Sequence, residues 1–214
     1  MLQKITALRQ QKRDARRVNV YLDGRYAFAL QAPLADAVQV GQTLSPEEID
    51  ELQRKDVAEV AFQRVLQFLS YRPRSQAEVE AYLQRRKVTP AVRQEVMDRL
   101  VQARLLDDQE FARYWVENRE VFRPRGVYSL RFELRSKGVD EVTIQRAVEG
   151  LDEADSAYRA AAERARRLKG LGYADFRRRL AGFLQRRGFG YDITKDTVDR
   201  LWREAQGSEQ GESS

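Results

Sequence analysis

Leu83-Gln-Arg-Arg-Lys-Val88 opens a stretch that runs to Leu100, and the stretch is written twice more. Leu134-Arg-Ser-Lys-Gly-Val139 runs to Leu151, and Leu184-Gln-Arg-Arg-Gly-Phe189 runs to Leu201. In each copy the leading Leu is followed by Val or Phe five residues on and by Leu seventeen residues on, and the copies start 51 and 50 residues apart. A period of this length marks helical repeats, each of which buries its apolar face against its neighbours. The predicted fold is mainly α: a tandem array of three three-helix repeats preceded by a small β-hairpin or sheet segment.

Working outward, three helices are expected per repeat. They fall at 57–70, 75–86 and 90–102, then 108–121, 127–137 and 141–151, then 153–169, 174–187 and 191–205. The second helices carry the apolar pairs Val79/Leu83, Leu130/Leu134 and Leu180/Leu184, and the third carry Met97/Leu100, Val148/Leu151 and Val198/Leu201; these stripes read as core. Gly138 and Gly188 suit the left-handed residue that closes a helix. Lys87 stands at the equivalent place in the first repeat and predicts a different turn. Thr89 and Asp140 are expected to cap the third helices. Asp107-Asp-Gln-Glu110 has capping-box spacing, which accounts for these carboxylates, with Asp98 nearby, more simply than a metal does. Asp56-Val-Ala-Glu59 either caps the first repeat or lies inside one longer helix begun at Ser45-Pro46-Glu47-Glu48.

Residues 1–44 stand outside the period. Val18 to Leu22, Asp23-Gly24, then Arg25 to Leu30 reads as a type I′ hairpin, because Asp-Gly tolerates the positive φ angles of that turn. A two-residue loop puts Val18, Val20 and Leu22 on one face with Ala27 and Ala29, and Tyr21, Tyr26 and Phe28 on the other. A third strand near 5–9 and a covering helix near 33–38 are expected. The basic stretch Lys12 to Arg17 reads as a loop, with phosphate contact as the alternative reading. Residues 1–44 thus form a β-rich segment, 45–56 a connecting helix, 57–106, 107–151 and 152–205 the repeats, and 206–214 a disordered tail without apolar residues.

Composition narrows function. The chain has no Cys and no His, which excludes disulfides, thiol chemistry, classical zinc sites and imidazole catalysis. No glycine-rich phosphate loop follows a strand, so no enzyme activity and no cofactor are expected. There is no bilayer-spanning apolar run and no signal-peptide pattern, so the expected location is cytoplasmic. An array completes its own core, so a monomer is expected.

The net charge of +6 is unevenly placed. Residues 159–187 hold ten Lys/Arg against two Asp/Glu, whereas 1–56 are near balance, 57–158 are balanced and 188–214 are acidic. At 100° per residue, Arg159, Arg164, Arg166 and Arg167 fall opposite Tyr158, Ala161, Ala162, Ala165 and Leu168. Arg178, Arg179 and Arg186, next to Arg187, fall opposite Phe176, Leu180, Phe183 and Leu184. Arg72-Pro73-Arg74 and Arg123-Pro124-Arg125 occupy equivalent corners, 51 residues apart, where proline ends the first helix and two Arg side chains project. Arginine in these numbers suits bidentate contact with phosphate or carboxylate. The aromatic residues read as core.

Tyr71-Arg-Pro-Arg-Ser-Gln-Ala-Glu-Val-Glu-Ala-Tyr-Leu83, Leu105-Leu-Asp-Asp-Gln-Glu-Phe-Ala112, Leu134 to Val139 and Phe183-Leu-Gln-Arg-Arg-Gly-Phe-Gly-Tyr191 resemble the RecX family of recombination regulators, over residues 57–205. The resemblance implies an elongated, curved array that binds the RecA recombinase in the groove of its nucleoprotein filament. It also implies restraint of strand exchange and ATP hydrolysis in DNA repair, recombination and the SOS response. Contact with single- or double-stranded DNA is compatible with it, and the arginines named above are the contact candidates. The charge map makes the third repeat dominant: reversing Arg166, Arg167, Arg178 and Arg179 should weaken RecA inhibition more than reversing Arg72 and Arg74. The competing readings are a DNA-binding module acting without RecA and a helical adaptor for another acidic protein.

Overall fold

The computed structural model describes residues 1–211. They form two compact units, one of Met1–Arg74 with Val79–Leu106, the other of Asp107 onward with Ser75–Glu78.

The first unit opens with four antiparallel strands: β1 (Gln3–Gln10), β2 (Arg17–Leu22), β3 (Arg25–Gln31) and β4 (Thr43–Leu44), in the order β3-β2-β1-β4. Asp23 and Gly24 have φ of 48° and 83°, as the two-residue hairpin requires. The expected faces are wrong beyond the turn. Tyr21 pairs with Tyr26, but Val20 pairs with Phe28, so Ala27 is an extra, bulged residue. The one-residue shift brings Phe28 and Leu30 onto the buried face with Val20 and Leu22 and leaves Ala27 exposed. Two large side chains are buried instead of two alanines, which removes far more apolar surface from water. The covering helix, α1 (Ala32–Ala35), is one turn long.

Helix α2 (Pro46–Leu69) settles the two readings of Asp56: the helix passes through it unbroken. Ser45 and Glu48 form the capping box at its start, with Glu48 N donating to Ser45 Oγ at 3.3 Å and Ser45 N to Glu48 Oε2 at 2.7 Å. Ile49 and Leu52 pack against the sheet core, whereas Ala58, Ala61 and Val65 join α3 (Gln76–Arg85) and α4 (Pro90–Gln102) in the first repeat's core. Asp56 is not a cap. It is buried, and accepts from Arg17 Nη1 at 2.9 and 2.8 Å and from Gln31 N at 2.7 Å. Arg17, read as part of a basic loop, begins β2 and also donates from Nη2 to Ala29 O at 3.0 Å.

The second unit holds α5 (Asp108–Phe122), α6 (Val127–Ser136) and α7 (Glu141–Val148), then α8 (Glu153–Arg166), α9 (Tyr173–Arg186) and α10 (Tyr191–Gly211). Each triplet encloses its own core: Phe111, Leu130, Leu134 and Ile144 in one, Phe176, Leu180, Leu184 and Val198 in the other. The predicted helix-pair stripes are buried or half-buried in all three repeats. Asp107 and Asp140 cap as expected, but Thr89 occupies the cap position of α4 without a side-chain bond. Helix α8 stops at Arg166 instead of 169, and α10 continues to Gly211, past the tail boundary predicted at 206; residues 212–214 lie outside those described.

The turns between second and third helices are alike, contrary to expectation. Lys87, Gly138 and Gly188 have φ of 59°, 78° and 84°, and Val88 N, Val139 N and Phe189 N each donate back to Leu83 O, Leu134 O and Leu184 O. What separates them lies across space. A Cβ on Gly188 would stand 2.2 Å from Ser129 Oγ, and one on Gly138 2.3 Å from Ala77 Cβ, whereas Lys87 carries a side chain in the same left-handed conformation. The residue before each glycine completes the junction: Lys137 O accepts from Ser75 Oγ at 2.6 Å, and Arg187 O from Gly126 N at 3.0 Å.

Candidate polyanion interface

Helices α8 and α9 sort their residues as the 100° rule predicts. Ala161, Ala165, Phe176, Leu180 and Leu184 are buried; Arg159, Arg164, Arg166, Arg167, Arg178, Arg179 and Arg186 are exposed. These arginines are not equivalent electrostatically. Arg159 is held by Asp155 and by Glu120, both at 2.6 Å, and its hydrogen bond to Asp155 leads the raising of its pKa. Arg167 is paired with Glu163, and Arg178 with Asp175 at 2.6 Å. Among the described residues, Arg164, Arg166, Arg179 and Arg186 have no carboxylate within ion-pair distance.

The structure brings four of the predicted arginines together, from three elements. Arg187, just past α9, donates from Nη1 to Pro124 O at 3.2 Å, which fastens it to the second Arg-Pro-Arg corner. Its guanidinium lies 4.6 Å from the centroid of the Phe183 ring, and that of Arg164 lies 4.9 Å from the same centroid. Half-burial lowers the pKa of Arg187, and the positive charges of Arg123, Arg125 and Arg164 lower it further. Among the described residues only Arg125 of these four has a carboxylate within ion-pair distance: its Nε stands 3.5 Å from Glu133 Oε1. The other oxygen of that carboxylate already accepts from Trp115 Nε1 and Arg119 Nε, both at 2.8 Å. Among the described residues these four guanidiniums thus have one carboxylate within ion-pair distance, an arrangement that favours a bound polyanion.

The first corner differs from its prediction. Arg72 and Arg74 do not project: both are half-buried, Arg72 Nη1 donates to Pro73 O at 2.7 Å, and Arg74 lies 4.0 Å from the centroid of Phe68. Of the four corner arginines, Arg123 is the exposed one.

The aromatic residues hold what sequence reasoning missed. Tyr71 and Phe122 read as core, yet they are 76% and 78% exposed. Each immediately precedes its Arg-Pro-Arg, and they too are 51 residues apart, so the repeated unit is aromatic-Arg-Pro-Arg; that spacing is the available signal. Tyr128 and Phe132, one turn apart on α6, are likewise 78% and 65% exposed.

Family models cover nearly all of this architecture. The regulatory protein RecX N-terminal domain matches residues 3–37, and the first, second and third three-helix domains of RecX match 61–100, 107–148 and 152–198. A regulatory protein RecX from Bacillus subtilis (strain 168) is 34% identical over 202 residues, covering 92% of this chain and 76% of its own. One from Mycolicibacterium vanbaalenii is 37% identical over 166 residues, covering 73% and 89%. A crystal structure of a regulatory protein RecX superposes with a TM-score of 0.74 at 24% identity over 92% of this chain and 99% of that one, so it shares the fold. With a β-sheet segment and three successive three-helix units each matched in order, this chain belongs to the RecX family of regulatory proteins.

Proposed function

We propose that the chain regulates RecA: it binds the RecA nucleoprotein filament and slows strand exchange and ATP hydrolysis, without catalytic chemistry of its own. Kinship with regulatory proteins supports the regulatory part. The observation that carries the docking part is the set Arg164, Arg166, Arg179 and Arg186, exposed on α8 and α9 without carboxylate partners among the described residues. Such charges are available to acidic protein surface or to DNA phosphate, whereas Arg167 and Arg178 are already answered from within their own helices.

The test is inhibition of RecA's DNA-dependent ATPase. Arg166→Glu with Arg179→Glu is expected to raise the half-inhibitory concentration about tenfold, because two attractive rim charges become repulsive. Arg167→Glu with Arg178→Glu should change it less, and Arg72→Glu with Arg74→Glu less still. Equal effects of all three pairs would defeat the assignment of docking to the uncompensated arginines.

A further inference from the structure

We infer that the second corner is a binding site for an unpaired nucleic-acid strand, with phosphates on Arg123, Arg164 and Arg187 and a base stacked on Phe122. Two independent observations meet here. The first is the guanidinium cluster, drawn from the corner and from α8 and α9, with Arg187 tied to Pro124 O and, among the described residues, only Arg125 of the four near a carboxylate. The second is the 78% exposed ring of Phe122, adjacent in the chain to Arg123. A single exposed ring needs no explanation by itself; beside a guanidinium cluster it is a flat face on which a base can stack.

The chemistry of the ligand follows from the combination. An unpaired strand alternates anionic phosphates with flat π-faces, and proteins that hold one place aromatic rings beside a basic track. A duplex supplies the phosphates but hides the base faces in its stack. An acidic protein surface could satisfy the arginines, yet it presents no row of planar faces to the ring. Phe183 is not the stacking platform, because it already holds Arg164 and Arg187. The guanidiniums read phosphate, which every sequence shares, so the site is indifferent to base identity.

The inference does not depend on RecA, and its test contains none. Binding of the full chain to a fluorescein-labelled oligothymidine, and to a duplex of equal length, is followed by anisotropy across a salt series. Phe122→Ala should weaken oligothymidine binding about tenfold and leave the duplex unchanged, while Phe122→Tyr keeps the wild-type affinity. Arg123→Glu with Arg164→Glu should weaken both ligands and flatten the single-strand salt slope by about 1.4, roughly 0.7 for each phosphate no longer neutralised. All these residues are exposed, so the variants are expected to fold. The site is overturned if Phe122→Ala spares oligothymidine binding or weakens both ligands alike. Displacement of the strand by poly-L-glutamate as effectively as by unlabelled oligothymidine overturns it too, and assigns the cluster to an acidic protein.

Discussion

Gly188→Ala is expected to destabilise the second unit by roughly 2–4 kcal/mol, the sum of about 1 kcal/mol for a left-handed residue that gains a Cβ and about 1–3 kcal/mol for overpacking. Gly188 has φ of 84°, and its Cβ would meet Ser129 Oγ at 2.2 Å, Ser129 Cβ at 2.6 Å and Ser129 N at 2.6 Å. Two other glycines separate these causes. Gly170 has φ of 85° with nothing within 4 Å of a Cβ, so Gly170→Ala should show the conformational cost alone, about 1 kcal/mol. Gly126 has φ of −68°, but its Cβ would meet Gly188 O at 2.1 Å, so Gly126→Ala should show the packing cost alone, about 1–3 kcal/mol. Both tryptophans, Trp115 and Trp202, lie in this unit, so urea unfolding followed by their fluorescence reports on it. Gly188→Ala should also loosen Arg187 from Pro124 O and weaken strand binding. A loss no larger than that of Gly170→Ala would show that the repeats do not depend on this close approach.

Asp56→Ala should cost the first unit about 3 kcal/mol, the low end for breaking a buried pair because Arg17 keeps 22% of its side-chain surface. The deletion strands two groups at once: the Arg17 guanidinium and the Gln31 N–H, both of which donate to this carboxylate. Asp56→Asn keeps an acceptor for Gln31 and should cost less. Arg17→Met combined with Asp56→Leu should recover much of the loss, because no buried charge remains unanswered. The first unit has no tryptophan, so the readout is hydrogen exchange of the β2 and β3 amides. If Asp56→Ala leaves that exchange unchanged, the pair does not hold the sheet to α2.

The candidate site was legible in its parts. The exposed faces of α8 and α9 follow from 3.6-residue periodicity, and the matched Arg-Pro-Arg corners follow from the repeat offset. Neither showed that Arg187 reaches Pro124, 63 residues away, or that Arg167 and Arg178 are neutralised while Arg166 and Arg179 are not. Counting charge along a segment treats every arginine alike; side-chain geometry sorts them. The exposed aromatics escape a reading by residue type, which puts apolar side chains in the core, whereas Phe122 ends its helix with its ring exposed.

By itself the sequence determined what depends on neighbours within a turn or two. That covers the helix stripes, the caps at Ser45, Asp107 and Asp140, the Asp23-Gly24 turn, and the threefold period that makes the array. Tertiary structure decided what depends on approaches between distant segments. The hairpin register is one case: Ala27 bulges because a core beneath the sheet rewards burying Phe28 and Leu30. The glycines are another: all three turns are left-handed, yet Ser129 or Ala77 presses on the turn at the two glycines, whereas the first repeat keeps Lys87 there. The arginine cluster is the third, assembled by packing at a junction whose contacts no local rule specifies.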